Sequence, residues 1–160
     1  MRPAARPHAM FRRQRGATAV EFAILFPLFF VIMYAIVTYG MIFATQQSLT
    51  LAATEGARAA LDYQLASTPA AAYAARANQA CVVAKGLTTW LPVTPSCATN
   101  ASGSTPTACS YDASMYCVQV TVTYPYSSNP LVPSIPLFTG PLPSTLTSQA
   151  TVQINPANIL

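Results

Sequence analysis

The chain has 160 residues, of which 52% are hydrophobic and only 8% are charged, against roughly 25% charged residues in an ordinary soluble domain. Its net charge of +4 comes from the segment before Ala17, because the remainder carries three basic and four acidic residues. Nucleic-acid binding therefore has no electrostatic basis, since no basic patch is left in the body of the protein.

Residues 1–16 form the first predicted segment, a leader rich in arginine, proline and alanine without apolar periodicity. Its last arginines are Arg12, Arg13 and Arg15, and it ends at Gly16. We predict that this leader is disordered and is removed after export.

The predicted transmembrane helix occupies residues 17–45 and contains the uncharged run from Phe22 to Phe43, which includes Pro27. At 1.5 Å per residue this run is about 33 Å long, enough to cross a hydrocarbon core of ~30 Å. Arginines precede the run and none follows it directly, which predicts a cytoplasmic N-terminus and a domain at residues 46–160 outside the inner membrane. A secretory signal peptide is the alternative, but its apolar core would be about 7–15 residues long and would end in a small-x-small cleavage site.

Helical periodicity continues beyond the span, from Gln46 to Ala66, and predicts one continuous helix from Phe22 to Ala66. Small residues on this segment (Ala52, Gly56 and Ala59 or Ala60) would let the helices of other subunits approach closely. The predicted elements after it are a helix at 70–85 closed by Gly86, a coil from Trp90 through Pro106, a strand at 116–124, a Pro/Ser-rich loop at 125–145 and a strand at 147–154. The fold class we predict is α+β, with a long N-terminal helix, a second helix and a small antiparallel sheet of two to four strands.

Four cysteines, Cys81, Cys97, Cys109 and Cys117, all follow the apolar run. Their irregular spacing does not match a zinc site, and disulfides in an oxidising compartment fit better. Four cysteines allow three pairings, of which we favour Cys97 with Cys109 and Cys81 with Cys117, because that nesting needs the fewest chain crossings.

Catalytic chemistry finds little support in this sequence. The only histidine, His8, lies in the leader, and there is no glycine-rich phosphate loop. Glu55 and Asp62 lie on a helix face that is typical of solvated charges. We therefore expect neither an enzyme nor a bound metal or cofactor.

Glu21 is the only charged residue at the threshold of the apolar run. A charge inside hydrocarbon costs on the order of 2.5–3.5 kcal/mol, so the carboxylate needs a partner or access to the interface. One interpretation is a carboxylate that snorkels or is stabilised by the helix macrodipole. The other needs Gly16 and Ala17, because a cut between them would leave Glu21 at position five and free an ammonium group at Ala17 that could pair with it across subunits.

This arrangement resembles the TadE-like pseudopilins of tight-adherence (Flp-type) pilus systems over residues 12–62. The matching features are Gly16-Ala17 with Val20-Glu21-Phe22, a span containing Pro27, and the stretch Glu55-Gly56-Ala57-Arg58-Ala59-Ala60. The resemblance implies cleavage after Gly16 by a prepilin peptidase and a minor role in pilus assembly or priming. The implied partners are other pilins or pseudopilins, the pilus assembly platform and the inner membrane. The alternative is an uncleaved single-pass inner-membrane protein whose periplasmic domain binds a partner.

Overall fold

The computed structural model describes residues 15–101, 106–135 and 142–159, and the leader residues Arg12 and Arg13 lie outside this part of the chain. The elements are α1 (Arg15–Ala59), α2 (Pro69–Gly86), β1 (Ser96–Thr99), β2 (Tyr116–Tyr124), β3 (Leu146–Ile154) and a 3₁₀ helix (Pro156–Asn158). This arrangement confirms the predicted α+β class. The chain divides between Ile36 and Val37 into two compact units, of which the second holds the sheet and α2.

Helix α1 runs through Pro27 without ending, although proline offers no N–H to the carbonyl of Ala23. The prediction that this helix reaches Ala66 is wrong, since it ends at Ala59. The last turn tightens there, because the N–H of Ala60 is shared between the carbonyls of Gly56 and Ala57.

Helix α2 begins where its sequence signal predicts. The Oγ1 of Thr68 accepts a hydrogen bond of 3.2 Å from the N–H of Ala71, and Pro69 occupies the first turn, where its missing N–H costs nothing. The helix ends at Gly86, as expected.

The sheet has three antiparallel strands in the order β1-β2-β3. The predicted alternation of β2 is confirmed: one face is fully buried and the other is more polar and less buried, and β3 starts one residue earlier than predicted. The coil predicted after Trp90 is wrong in part, because it contains β1. This strand has only four residues and gains its ladder from the edge of β2, which local sequence does not reveal. In the loop predicted at 125–145, the described residues form turns and irregular structure without helix or strand.

The core of the second unit forms where α1, α2 and β2 meet. Ala52, Ala53 and Ala60 of α1 are fully buried, and Gly56 faces Ala80 of α2. The expectation that these small residues receive helices of other subunits is corrected here, because the chain's own α2 and sheet occupy that face. Small side chains are used to bring the helices of one chain together.

Two disulfides join all four cysteines, and the predicted pairing is wrong. Cys81 bonds Cys97, and Cys109 bonds Cys117, with Cα–Cα distances of 5.6 and 4.9 Å. Cys97 pairs with Val122, five residues along β2 from Cys117, which is about 17 Å at ~3.4 Å per residue. Cys109 lies next to Cys117, to which it is bonded. Because a disulfide spans at most ~7 Å between Cα atoms, Cys97 is too far away to form the predicted bond with Cys109.

Candidate functional site: the processing and membrane segment

The candidate site lies at the start of α1, where the predicted processing residues follow one another. Arg15, Gly16 and Ala17 belong to the helix, and Glu21 follows Ala17 by four residues. Residues four apart in a helix lie on one face, about 5–6 Å apart between Cβ atoms. Helical geometry therefore brings the carboxylate of Glu21 to the side of the chain on which Ala17 lies.

Glu21 has an exposed side chain and takes part in no ion pair with another residue that the structure describes. It is beyond the first turn of α1, in which no acidic residue occurs. Stabilisation by the helix macrodipole falls off within the first turn. The macrodipole therefore stabilises the Glu21 carboxylate little in the uncut chain.

The side chains that follow Glu21 present an apolar surface. Large hydrophobic residues from Val20 to Val37 are exposed, and the rings of Phe22 and Phe26 stack at a centroid distance of 5.3 Å. The helix over Thr18–Ala59 is long and apolar enough to cross a membrane. A contiguous exposed apolar surface of this kind is typical of contact with lipid or with other helices. The segment is compatible with a single-pass membrane protein.

From Thr38 onward, α1 gains buried positions at helical spacing, since Thr38, Ile42, Thr45 and Leu49 are at most 7% exposed. The opposite side of the same turns stays apolar and open, with Phe43 70% exposed. The second compact unit therefore covers one face of α1 within the last turns of the predicted span, Phe22 to Phe43.

Arg76 is a structural residue whose role the sequence analysis missed. Its guanidinium is buried and donates hydrogen bonds to the carbonyls of Leu61, Asn158 and Ile159 at 3.1, 3.4 and 3.2 Å. These carbonyls follow α1 and end the chain's last helical turn, where a cation is favoured by the local dipoles. The available signal was a single arginine in an otherwise alanine-rich helix.

Two titratable groups outside the span have shifted pKa values. Hydrogen bonds from the Oγ and N–H of Ser114 lower the pKa of Asp112, an exposed loop residue. Burial raises the pKa of the Tyr124 phenol, whose O–H donates to the carbonyl of Asn129. No cluster of three potential metal ligands occurs among the described residues.

Residues 16–58 match the family model described as TadE-like protein. This N-terminal segment is similar to TadE-like proteins. The match begins at Gly16 and contains Glu21, Pro27 and Gly56, which confirms the resemblance drawn from these positions. No curated protein and no solved structure matches this chain. The match covers 43 of the 160 residues and concerns the N-terminal segment alone.

Proposed function

We propose that this chain is a minor pseudopilin that acts in the assembly or priming of a tight-adherence pilus. The observation that carries the proposal is the TadE-like match, which begins at Gly16 and includes Glu21. The second compact unit adds a disulfide-bonded domain to the helix, which suits an accessory subunit that makes specific contacts. The role is structural, without catalysis or a cofactor.

Maturation in this proposal is a cut between Gly16 and Ala17 by a prepilin peptidase. Arg12, Arg13 and Arg15 hold the leader on the cytoplasmic side, because positive residues resist transfer across the inner membrane. The second unit then lies in the periplasm, and its two disulfides agree with that oxidising compartment.

The cut gives Glu21 its function. It creates an ammonium group at Ala17 and leaves the carboxylate at position five, next to the exposed apolar surface that begins at Phe22. When subunits pack side by side in the membrane, the ammonium group of one neutralises the carboxylate of the next. This pairing offsets the cost of holding either charge in an apolar bundle and sets the axial offset between subunits.

The proposal is tested by the intact mass and N-terminal sequence of the protein purified from native membranes. We expect the chain to begin at Ala17. The Gly16→Lys variant should keep its leader, because a bulky cation replaces the residue at the cut, while Gly40→Ala, on the same helix in open space, should be processed normally. A wild-type chain that retains residues 1–16 in cells with active peptidase would instead support an uncleaved membrane anchor.

A second variant separates cutting from assembly. Glu21→Gln should be cleaved but should fail to co-purify with other pilins and should lower the number of pili per cell. Glu55→Gln is the matched control, because Glu55 is a surface residue paired with Arg58 at 3.1 Å. Normal piliation with Glu21→Gln would restrict that carboxylate to a local role in the helix.

A further inference from the structure

The second compact unit has one end that lies toward Val37, which we call the proximal end. The helix α2 starts beside the far end of α1, where Arg76 binds the carbonyl of Leu61, and runs back until Trp90 donates from Nε1 to the Oγ of Ser48 at 3.1 Å. The connection from α2 to β1, residues 87–95, therefore lies at the proximal end. We call it the first proximal loop.

The strands place a second connection at the same end. The carbonyl of Thr147, at the start of β3, accepts from Nε2 of Gln46 at 3.0 Å, and Ser148 bonds Thr50 at 3.2 Å. Strand β3 thus runs outward along α1, and the antiparallel β2 runs inward and ends at Tyr124. Residues 125–135 and 142–145, the described parts of the connection between these strands, form the second proximal loop.

Neither proximal loop contains a charged residue, and together they hold six of the 14 prolines. The first loop exposes Leu87, Trp90 and Val93, and the second exposes Leu142. The opposite end also exposes Leu61, Tyr63 and Leu65, but there the charged Arg58 and Asp62 are interleaved with them. The two ends therefore differ in charge more than in apolar exposure.

The depth of the unit along α1 indicates what covers the proximal end. The buried face of α1 begins at Thr38, which lies inside the uncharged run that ends at Phe43. Ser48, which accepts the hydrogen bond from Trp90, lies only five residues, or about 7.5 Å, beyond that run. The headgroup layer adds roughly 5–7.5 Å to each side of the hydrocarbon core. Ser48 and the indole nitrogen of Trp90 that bonds it therefore lie at the outer edge of the headgroup layer if the span crosses the membrane.

The composition of the loops suits that layer. Tryptophan is enriched at the membrane–water interface, where its ring contacts acyl chains and its N–H remains hydrogen-bonded. Proline has no N–H, which lowers the number of backbone donors that need a partner near hydrocarbon. Lys85, in the last turn of α2 and two residues before the first loop, is an exposed cation that suits lipid phosphates.

We propose that both proximal loops rest in the outer headgroup layer of the membrane that α1 crosses, so that the domain has a second, peripheral lipid contact. The proposal rests on the membrane placement in the proposed function. The lipid contact holds the second unit at a defined height while the subunit waits in the membrane, and it must be released when the subunit leaves the bilayer.

The test uses Trp90, the only tryptophan of the chain, as its own reporter. The full chain is reconstituted in phosphatidylcholine vesicles that contain lipids spin-labelled either near the headgroup or deep in the acyl chain. We expect the shallow label to quench Trp90 emission more than the deep label does, and aqueous acrylamide to quench it weakly.

Two reporters in a Trp90→Phe background serve as controls. Phe30→Trp, in the apolar run, should be quenched by the deep label, and Tyr63→Trp, at the opposite end, should be quenched by acrylamide alone. If Phe30→Trp responds to lipid but Trp90 responds only to acrylamide, the inference is overturned and the membrane anchor stands. If Trp90 is shielded from both quenchers, a protein covers the loops and the lipid contact is refuted. If Phe30→Trp is not quenched by lipid, the membrane placement fails and the inference fails with it.

Discussion

Gly56 is the position at which a single methyl group should test the packing of the second unit most directly. A Cβ built there would lie 2.8 Å from the carbonyl oxygen of Ala80, 3.0 Å from the Cβ of Ala84 and 3.5 Å from Cγ1 of Val120. Two of these neighbours belong to the backbone or to the first side-chain atom of α2, so no flexible side chain can move aside. Accommodation requires α1 and α2 to separate.

The size of the effect follows from two opposing contributions. Overpacking a core costs about 1–3 kcal/mol, whereas replacing glycine by alanine inside a helix stabilises it by about 1 kcal/mol. The clash at the Ala80 carbonyl places Gly56→Ala toward the upper part of the first range. We expect a net loss of about 1–2 kcal/mol in the free energy of unfolding, which corresponds to roughly 4–8 °C in Tm for a unit of this size.

The assay is thermal unfolding of the purified chain in detergent with intact disulfides, followed by the emission of Trp90. The matched control is Gly86→Ala at the end of α2, where a Cβ meets no heavy atom within 4 Å. That variant should unfold at or slightly above the wild-type temperature. A Gly56→Ala protein as stable as Gly86→Ala would refute the close approach of α1 and α2.

Three further predictions concern the rest of the second unit. Arg76→Met should lower the free energy of unfolding by about 3 kcal/mol in the same assay, because it leaves three carbonyls without their charged donor. The control Arg58→Met should cost less than ~1 kcal/mol, as expected of an exposed ion pair. Equal losses would show that the hydrogen bonds of Arg76 do not stabilise the second unit. Peptide mapping without reduction should recover Cys81 linked to Cys97, and removing both by serine substitution should destabilise the unit by roughly 3 kcal/mol; a peptide in which either is linked elsewhere would contradict the fold. Burial raises the pKa of Tyr124 above 10.0, so the phenol loses its proton at a lower pH in the unfolded chain than in the folded one. The free energy of unfolding should therefore fall as pH rises through about 10. A Tyr124→Phe variant with an unchanged slope of Tm against pH would exclude this group as the cause.

Much of the fold was predictable because its signals are local. Thr68 and Pro69 mark the start of α2 whatever surrounds them, since capping involves only the first turn. The alternation from Val118 to Tyr124 identifies the buried face of β2 before its partners are known. The TadE-like pattern at Gly16 and Glu21 was also recognisable, because it depends on spacing within one segment, and cleavage after Gly16 stays a prediction.

Most of the errors concern contacts between distant parts of the chain. Strand β1 has no strong pattern of its own and exists because β2 offers an unpaired edge. The small residues around Gly56 could equally serve another subunit until α2 is seen against them. From sequence, Arg76 resembles an ordinary surface charge. Only the folded chain brings the carbonyl of Leu61 and those of the C-terminal turn to its guanidinium.

By itself, the sequence determined the apolar helix, its charged threshold, the TadE-like pattern and the class of fold, since each depends on hydrophobicity or spacing within one segment. Only the tertiary structure decided which cysteines bond, where α1 ends and which face of it is covered. The physical reason is distance: Cys81 and Cys97 meet because α2 packs beside β1, and no local preference in either segment specifies that contact.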